Sequence, residues 1–178
     1  MPVAVSTGHY DIEVSVDLNP VLGKIEQVAT VDLVIPSKKI LAERLAQLDS
    51  EDVNVRRTAL IDLRYFREDG DQVFPRLISC LKDEEAVIRM VALSVMMAYP
   101  KQTADHVGTF IGILEGGEEV SLSERSNAAW LLARYVPPSE EVGAALEKAY
   151  AEADENLKLR MRSAIDSYRK RVAAQKPG

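Results

Sequence analysis

Very few side chains in this sequence could do nucleophilic or metal chemistry. The 178 residues include one cysteine, Cys80, and two histidines, His9 and His106. A catalytic nucleophile needs a base within hydrogen-bond reach and a third group to orient that base. Cys80 instead sits in the apolar run Leu77-Ile78-Ser79-Cys80-Leu81, which reads as a packed helix holding a buried, inert thiol. His106 stands beside Asp105 near a helix start, and His9 lies in a terminus expected to fray. Neither has a second histidine at metal-ligand spacing. Gly116-Gly117 lacks the spacing of a phosphate-binding or dinucleotide loop. The carboxylate pairs Glu84-Glu85, Glu118-Glu119 and Glu140-Glu141 fall where helices begin. There they complement the helix macrodipole and face solvent, a poor setting for acid–base work. No catalytic residue, metal site or cofactor is implied, and the expectation is a protein that is not an enzyme.

Arginine is the residue that recurs with a period. Arg56, Arg89, Arg125 and Arg160 are separated by 33, 36 and 35 residues, and a small residue follows each three positions later. A helical wheel puts Val55, Ala59, Leu63 and Phe66 on the core side of one helix with Arg56 at the edge of that face. From there its stem can pack while its guanidinium meets an acidic turn of the neighbouring repeat. The expected role is a structural Arg–Asp ladder rather than a row of anion-binding arginines.

The opposite side of the same helix carries Ile61 and Tyr65, flanked by Arg57 and Arg64. The repeat spacing transfers that side to Met90, Ser94 and Met97, then to Ser126, Trp130 and Arg134, and then to Met161, Ile165, Tyr168 and Arg169. Trp, Tyr, Met and Arg are enriched at interface hot spots. These positions are therefore either a partner-binding stripe or the packing of each second helix on the next, and periodicity alone leaves both open.

The elements that must position these residues read as helical hairpins from Ser37 onward. Leu48, Leu81 and Leu114 close successive apolar helices at intervals of 33 residues, a period typical of stacked helical repeats. Ser37 caps a first helix running to about Leu48, and Asp49-Ser50-Glu51-Asp52 supplies a turn and a new cap. Asp71 is expected to cap a helix to about Lys82, with Pro75 in its first turn. Asp83-Glu84-Glu85 starts the next helix. Thr103 precedes one that ends at Gly116-Gly117. Pro137-Pro138-Ser139-Glu140-Glu141 punctuates and restarts, and the last helix runs from near Asp154 to about Ala173. The expectation is eight helices in four hairpins: residues 37–69, 70–101, 102–136 and 137–173, followed by a tail over 174–178.

These four frames and the acidic turns at Asp49 and Asp83 resemble the short bacterial HEAT-like repeat proteins, the group that includes the phycobilisome-lyase type of repeat. The resemblance covers roughly residues 37–171. It implies an all-α, right-handed α-α solenoid of about four hairpins whose second helices line the concave surface. Tetratricopeptide and ankyrin repeats share the period, but their signatures are missing. The paired His-Glu motifs of iron-dependent HEAT-like hydroxylases are missing as well. The third and fourth repeats depart from the frame: Glu124 replaces the aliphatic residue before the arginine, and Ser163 replaces the alanine. Looser packing, or a capping role for the fourth repeat, is the expected consequence.

Residues 1–36 follow a different pattern. Ile12, Val14, Val16 and Leu18 alternate with Asp11, Glu13, Ser15 and Asp17, and Val31, Leu33 and Ile35 repeat the alternation. Asn19-Pro20 and Gly23-Lys24 supply turn chemistry between two extended stretches. A lone hairpin is marginal in water. Residues 10–35 are therefore expected to lie on the first hairpin, covering Leu41, Leu45 and Leu48, or to mediate self-association.

Composition bounds the function. The chain is 47% hydrophobic, 28% charged and 6% aromatic, with a net charge of −6. That balance supports a buried core and disfavours wrapping around nucleic acid. No apolar run reaches the length of a membrane span, and Met1-Pro2-Val3-Ala4-Val5-Ser6 does not read as a secretory signal. The expected setting is cytoplasmic. The last helix is basic, whereas residues 115–124 and the N-terminal segment are acidic. The leading expectation is an interaction scaffold or adaptor that binds another protein along the second-helix face. The resemblance also implies two alternatives: a lyase-like or chaperone subunit acting on a chromophore protein, and DNA binding of the kind found in HEAT-like alkylpurine glycosylases.

Overall fold

The computed structural model describes residues 8–17, 24–33, 37–117 and 119–175. Two compact units divide the chain, residues 1–41 and 42–178.

In the first unit, strands β1 (Gly8–Asp17) and β2 (Lys24–Leu33) pair antiparallel. Gly8 stands opposite Leu33 and Asp17 opposite Lys24. The two expected extended stretches are thus strands, with two differences. His9, expected in a frayed terminus, is paired in β1 opposite Asp32. Lys24 opens β2 instead of closing a turn, and pairing runs through residues 24–30, where alternation is weak. Backbone groups seek partners whatever the side-chain pattern, so a neighbouring strand extends its mate beyond the alternating stretch. Asn19-Pro20, Gly23 and Ile35 lie outside the described residues. The unit ends in the first turn of α1 (Lys38–Gln47), where the Ser37 hydroxyl accepts from the Ile40 N–H at 3.2 Å.

The second unit is helical: the rest of α1, then α2 (Val53–Leu63), α3 (Gly70–Cys80), α4 (Ala86–Met96), α5 (Pro100–Ala104), α6 (Val107–Glu115), α7 (Leu122–Tyr135), α8 (Glu140–Glu152) and α9 (Glu155–Gln175). Local chemistry sets most of their starts. Asp52 accepts from the Asn54 N–H at 2.8 Å, Ser139 from Val142 at 3.2 Å and Asp154 from Leu157 at 2.7 Å, each satisfying an amide that the first turn cannot. At α7 the cap is reciprocal. The Ser121 hydroxyl accepts from the Glu124 N–H while the Glu124 carboxylate accepts from the Ser121 N–H, a capping box.

Side-by-side packing follows chain order. Helix α3 lies on α4, α6 on α7 and α8 on α9, while α2, α4, α7 and α9 each touch the next. The small residues of the arginine frame, Ala59, Ala92 and Ala128, are fully buried, so these helices can approach closely. Leu60, Leu77, Ile88, Phe110 and Leu132 belong to the fully buried core layer of the helices. Replacing a large member of such a layer removes buried area and leaves a cavity.

Several boundaries differ from the sequence expectation. A short 3-10 turn, Arg67–Asp69, leads into α3. Asp71 therefore lies inside the first turn, and Pro75 is the sixth helical residue, where its missing N–H does remove a helical bond. An additional helix, α5, opens with Pro100, whose fixed φ suits a first turn. Thr103 belongs to α5 and does not start α6; it is buried, and its hydroxyl donates to the Met96 carbonyl at 3.1 Å. Helix α6 stops at Glu115 with Gly116 extended, φ −57° and ψ 139°, so no left-handed cap forms there. That glycine is needed for room, because a Cβ would come within 2.5 Å of the Val120 side chain. In α2 the core face is centred on Leu60 and Leu63, and Val55 is only half-buried.

Candidate functional site

The arginine frame forms rungs in two repeats. Arg56, 8% exposed, donates to both carboxylate oxygens of Asp83 at 3.0 Å and to the carbonyls of Ser50 and Glu51 at 2.8 and 3.1 Å. Arg89 does the same one repeat later, donating to Glu124 at 2.7 Å and to the carbonyls of Asp83 and Glu84 at 2.9 and 3.0 Å. Each guanidinium thus ties the turn before its own helix to a carboxylate of the following repeat. Asp83 also accepts from the Glu85 N–H at 2.9 Å, so one carboxylate holds both a turn and a rung. Hydrogen bonding to the carboxylate raises the pKa of both guanidinia against the opposing effect of burial.

The third and fourth frame arginines do otherwise. Arg89 finds Glu124 35 residues ahead, but 35 residues ahead of Arg125 stands Arg160, a like charge. Arg125 turns instead to the Leu114 carbonyl of α6 at 3.0 Å, and Arg160 is exposed. The fourth frame is also off by one position: Ser163 is exposed whereas Ala164 is fully buried. Glu124, expected to loosen the third repeat, is 4% exposed and holds both the second rung and the α7 cap. The S-x-x-E pattern of Ser121 and Glu124 was the signal for it.

The second-helix face gathers most of the residues expected there. Tyr65 is 52% exposed, with the Arg64 guanidinium 5.5 Å from its ring centroid, a cation–π distance. Ile61, Met90, Met97 and Trp130 are half-buried, and Ser94, Arg57, Arg64 and Arg134 are exposed. Asn127 of α7 donates to Ser94 at 3.2 Å and contacts the Met90 carbonyl at 3.5 Å, which fixes this side of α4 beside α7. The fourth repeat does not contribute as expected. Ile165, Met161 and Tyr168 are buried, as is Ser126 in the third repeat. Arg169 forms a bidentate pair with Glu147 of α8 at 2.8 and 2.9 Å, so its guanidinium is already engaged. The one-residue offset of the fourth frame rotates its apolar residues into the core.

Where α2, α4 and α7 end, a cleft of about 710 Å³ is lined by Arg67, Met97, Lys101, Gln102 and Tyr135, with Glu68 and Asp71 on its wall. Tyr99 closes its floor. It is 1% exposed, donates its hydroxyl to the Leu63 carbonyl, and burial pushes its phenol well above the ordinary value. Gln102 donates to Asp71 at 3.0 Å. The cleft shares Met97 with the second-helix residues.

Of the scarce reactive groups, Cys80 and His106 are engaged or covered. Cys80 is 9% exposed, and burial pushes its thiol up to about 11, so it is protonated near neutral pH. The His106 ring lies 4.9 Å from Phe74, with Nδ1 2.9 Å from the Gln102 carbonyl. Among the described residues no cluster of His, Cys, Asp and Glu could hold a metal ion, and no helix is long and apolar enough to cross a membrane. No protein-family model matches the chain, and no curated protein or solved structure matches it significantly.

Proposed function

We propose that this chain is a non-enzymatic interaction module whose hairpins stack as a right-handed HEAT-like solenoid of about four repeats and present their second helices to a protein partner. The order of packing, α2 to α4 to α7 to α9, and the identical bonding of Arg56 and Arg89 support the repeat reading.

The observation that carries the function is the half-buried Ile61, Met90, Met97 and Trp130 beside the exposed Arg57, Arg64 and Arg134, none of which holds a carboxylate among the described residues. Side chains used only for packing one helix on the next become fully buried, as Ala92, Leu131 and Ile165 are. Those that keep apolar surface in water can bury more of it against a partner. Capture from the native source should return a partner on the full chain and lose most of it on Trp130→Ala, while Glu141→Ala, on the exposed side of α8, keeps it. Equal capture by all three proteins would place the binding surface elsewhere.

A further inference from the structure

The carboxylates of this protein are unevenly shared among its arginines. Acidic residues outnumber Lys and Arg by 28 to 22, and Arg44, Arg56, Arg76, Arg89 and Arg169 each hold a carboxylate. On the second-helix face the pattern reverses. Arg57 and Arg134 make no hydrogen bond or ion pair among the described residues, and Lys101 at the cleft is likewise unpaired. Arg64 donates only to the Ile61 carbonyl of its own turn, at 3.0 Å. Macrodipole complementarity at helix C-termini accounts for part of this placement. It does not account for Arg57, in the first half of α2, which pairs with no carboxylate among the described residues. Arg57 stands in α2, Arg64 at its end, Lys101 in α5 and Arg134 in α7, and α4, with the half-buried Met90, packs against both α2 and α7.

Building on the function proposed above, we propose that the face is the docking site for an acidic amphipathic helix. The partner's carboxylates pair with Arg57, Arg64, Lys101 and Arg134, and its apolar stripe covers Ile61, Met97 and Trp130. Packed helices stand about 8–10 Å apart. Acidic residues seven apart on a helix recur every ~10.5 Å at 1.5 Å per residue, close to the separation of neighbouring packed helices. The apolar row argues for a protein segment over nucleic acid, whose phosphates would use the arginines and leave Met97 and Ile61 uncovered.

The test uses the full chain and the fluorescence of Trp130, its single tryptophan. Four probes are titrated: a Glu/Leu amphipathic peptide of about 20 residues, which spans ~30 Å as a helix, its Lys/Leu counterpart, a Glu-rich Gly/Ser peptide that cannot fold, and a short DNA duplex. The expected result is saturable binding of the Glu/Leu peptide that weakens as salt rises. Binding should be at least tenfold weaker for the Arg57→Glu/Arg134→Glu variant with an unchanged melting curve. Equal or tighter binding of the Lys/Leu peptide would overturn the acidic partner while leaving an interaction face intact. Tighter binding of the duplex, or equal binding of the unfoldable acidic peptide, would overturn the amphipathic helix as occupant. An unaltered affinity of the double variant would remove the arginines from the site. No response of Trp130 to any probe would overturn this inference and the interaction face together.

Discussion

Replacing Glu124 by alanine is expected to lower the melting temperature by about 6–12 °C. The carboxylate is 4% exposed, receives Arg89 at 2.7 Å, and accepts from both the hydroxyl and the N–H of Ser121 at 2.6 and 3.0 Å. Its loss leaves the Arg89 guanidinium without a counter-charge and opens the α7 capping box. Removing one partner of a largely buried pair costs about 3 kcal/mol, and each kcal/mol is worth about 2–4 °C in a chain of this size. The pH dependence has a definite sign. Burial pushes the Glu124 carboxyl up, but the bonds from Arg89 and Ser121 outweigh it and hold the group below its ordinary value. A carboxyl whose folded pKa is depressed stabilises the fold above its unfolded pKa, near 4.3, and that stabilisation fades as the pH falls through the folded value. Thermal melts of wild type and Glu124→Ala should therefore be far apart at pH 7 and converge below about pH 4. A difference independent of pH would mean that the cavity, and not the ion pair, sets the cost.

Phe74→Ala should destabilise by about 3–5 kcal/mol, the usual range for a fully buried phenylalanine. Phe74 is 1% exposed, meets Tyr99 edge-on at 6.4 Å and lies 4.9 Å from the His106 ring, so it joins α3 to the segments at both ends of α5. Tyr99 in turn is anchored to the Leu63 carbonyl, and the cleft at the end of the second-helix face is built on it. Loss of the near-ultraviolet aromatic signal well below the temperature at which helicity is lost would show that this junction opens first. A denaturation midpoint unchanged from wild type would contradict the packing described.

Features that depend on a few consecutive residues were legible in the sequence. Asp52, Ser139 and Asp154 cap where their side chains can reach an amide two or three residues on, and the β1 alternation follows the two-residue pleat. Features that depend on contact between repeats were not. Glu124 looked like a departure because the frame assigned it an apolar neighbour's place. Its role exists only because Arg89 arrives from 35 residues earlier. Arg160 matched the frame as a letter, but the register that counts is the one that buries Ala164, so the α9 positions rotated by one and Ile165 entered the core. Helix α5 was missed because five residues are too few for a periodic signal, and tertiary bonds from Thr103 and Tyr99 hold that segment in place. On the second-helix face, periodicity found the helices correctly, and side-chain exposure separated Trp130 and Met97 from Ile165.

As the interaction module proposed above, the protein binds its partner on that face. A photo-reactive residue placed at Ser94, exposed between Met90 and Met97, and a second one at Ala144, exposed on α8, would compare the two sides of the molecule directly in cells of the native source. The expected result is one discrete adduct from position 94 and none from position 144. An adduct from position 144 with none from position 94 would contradict it.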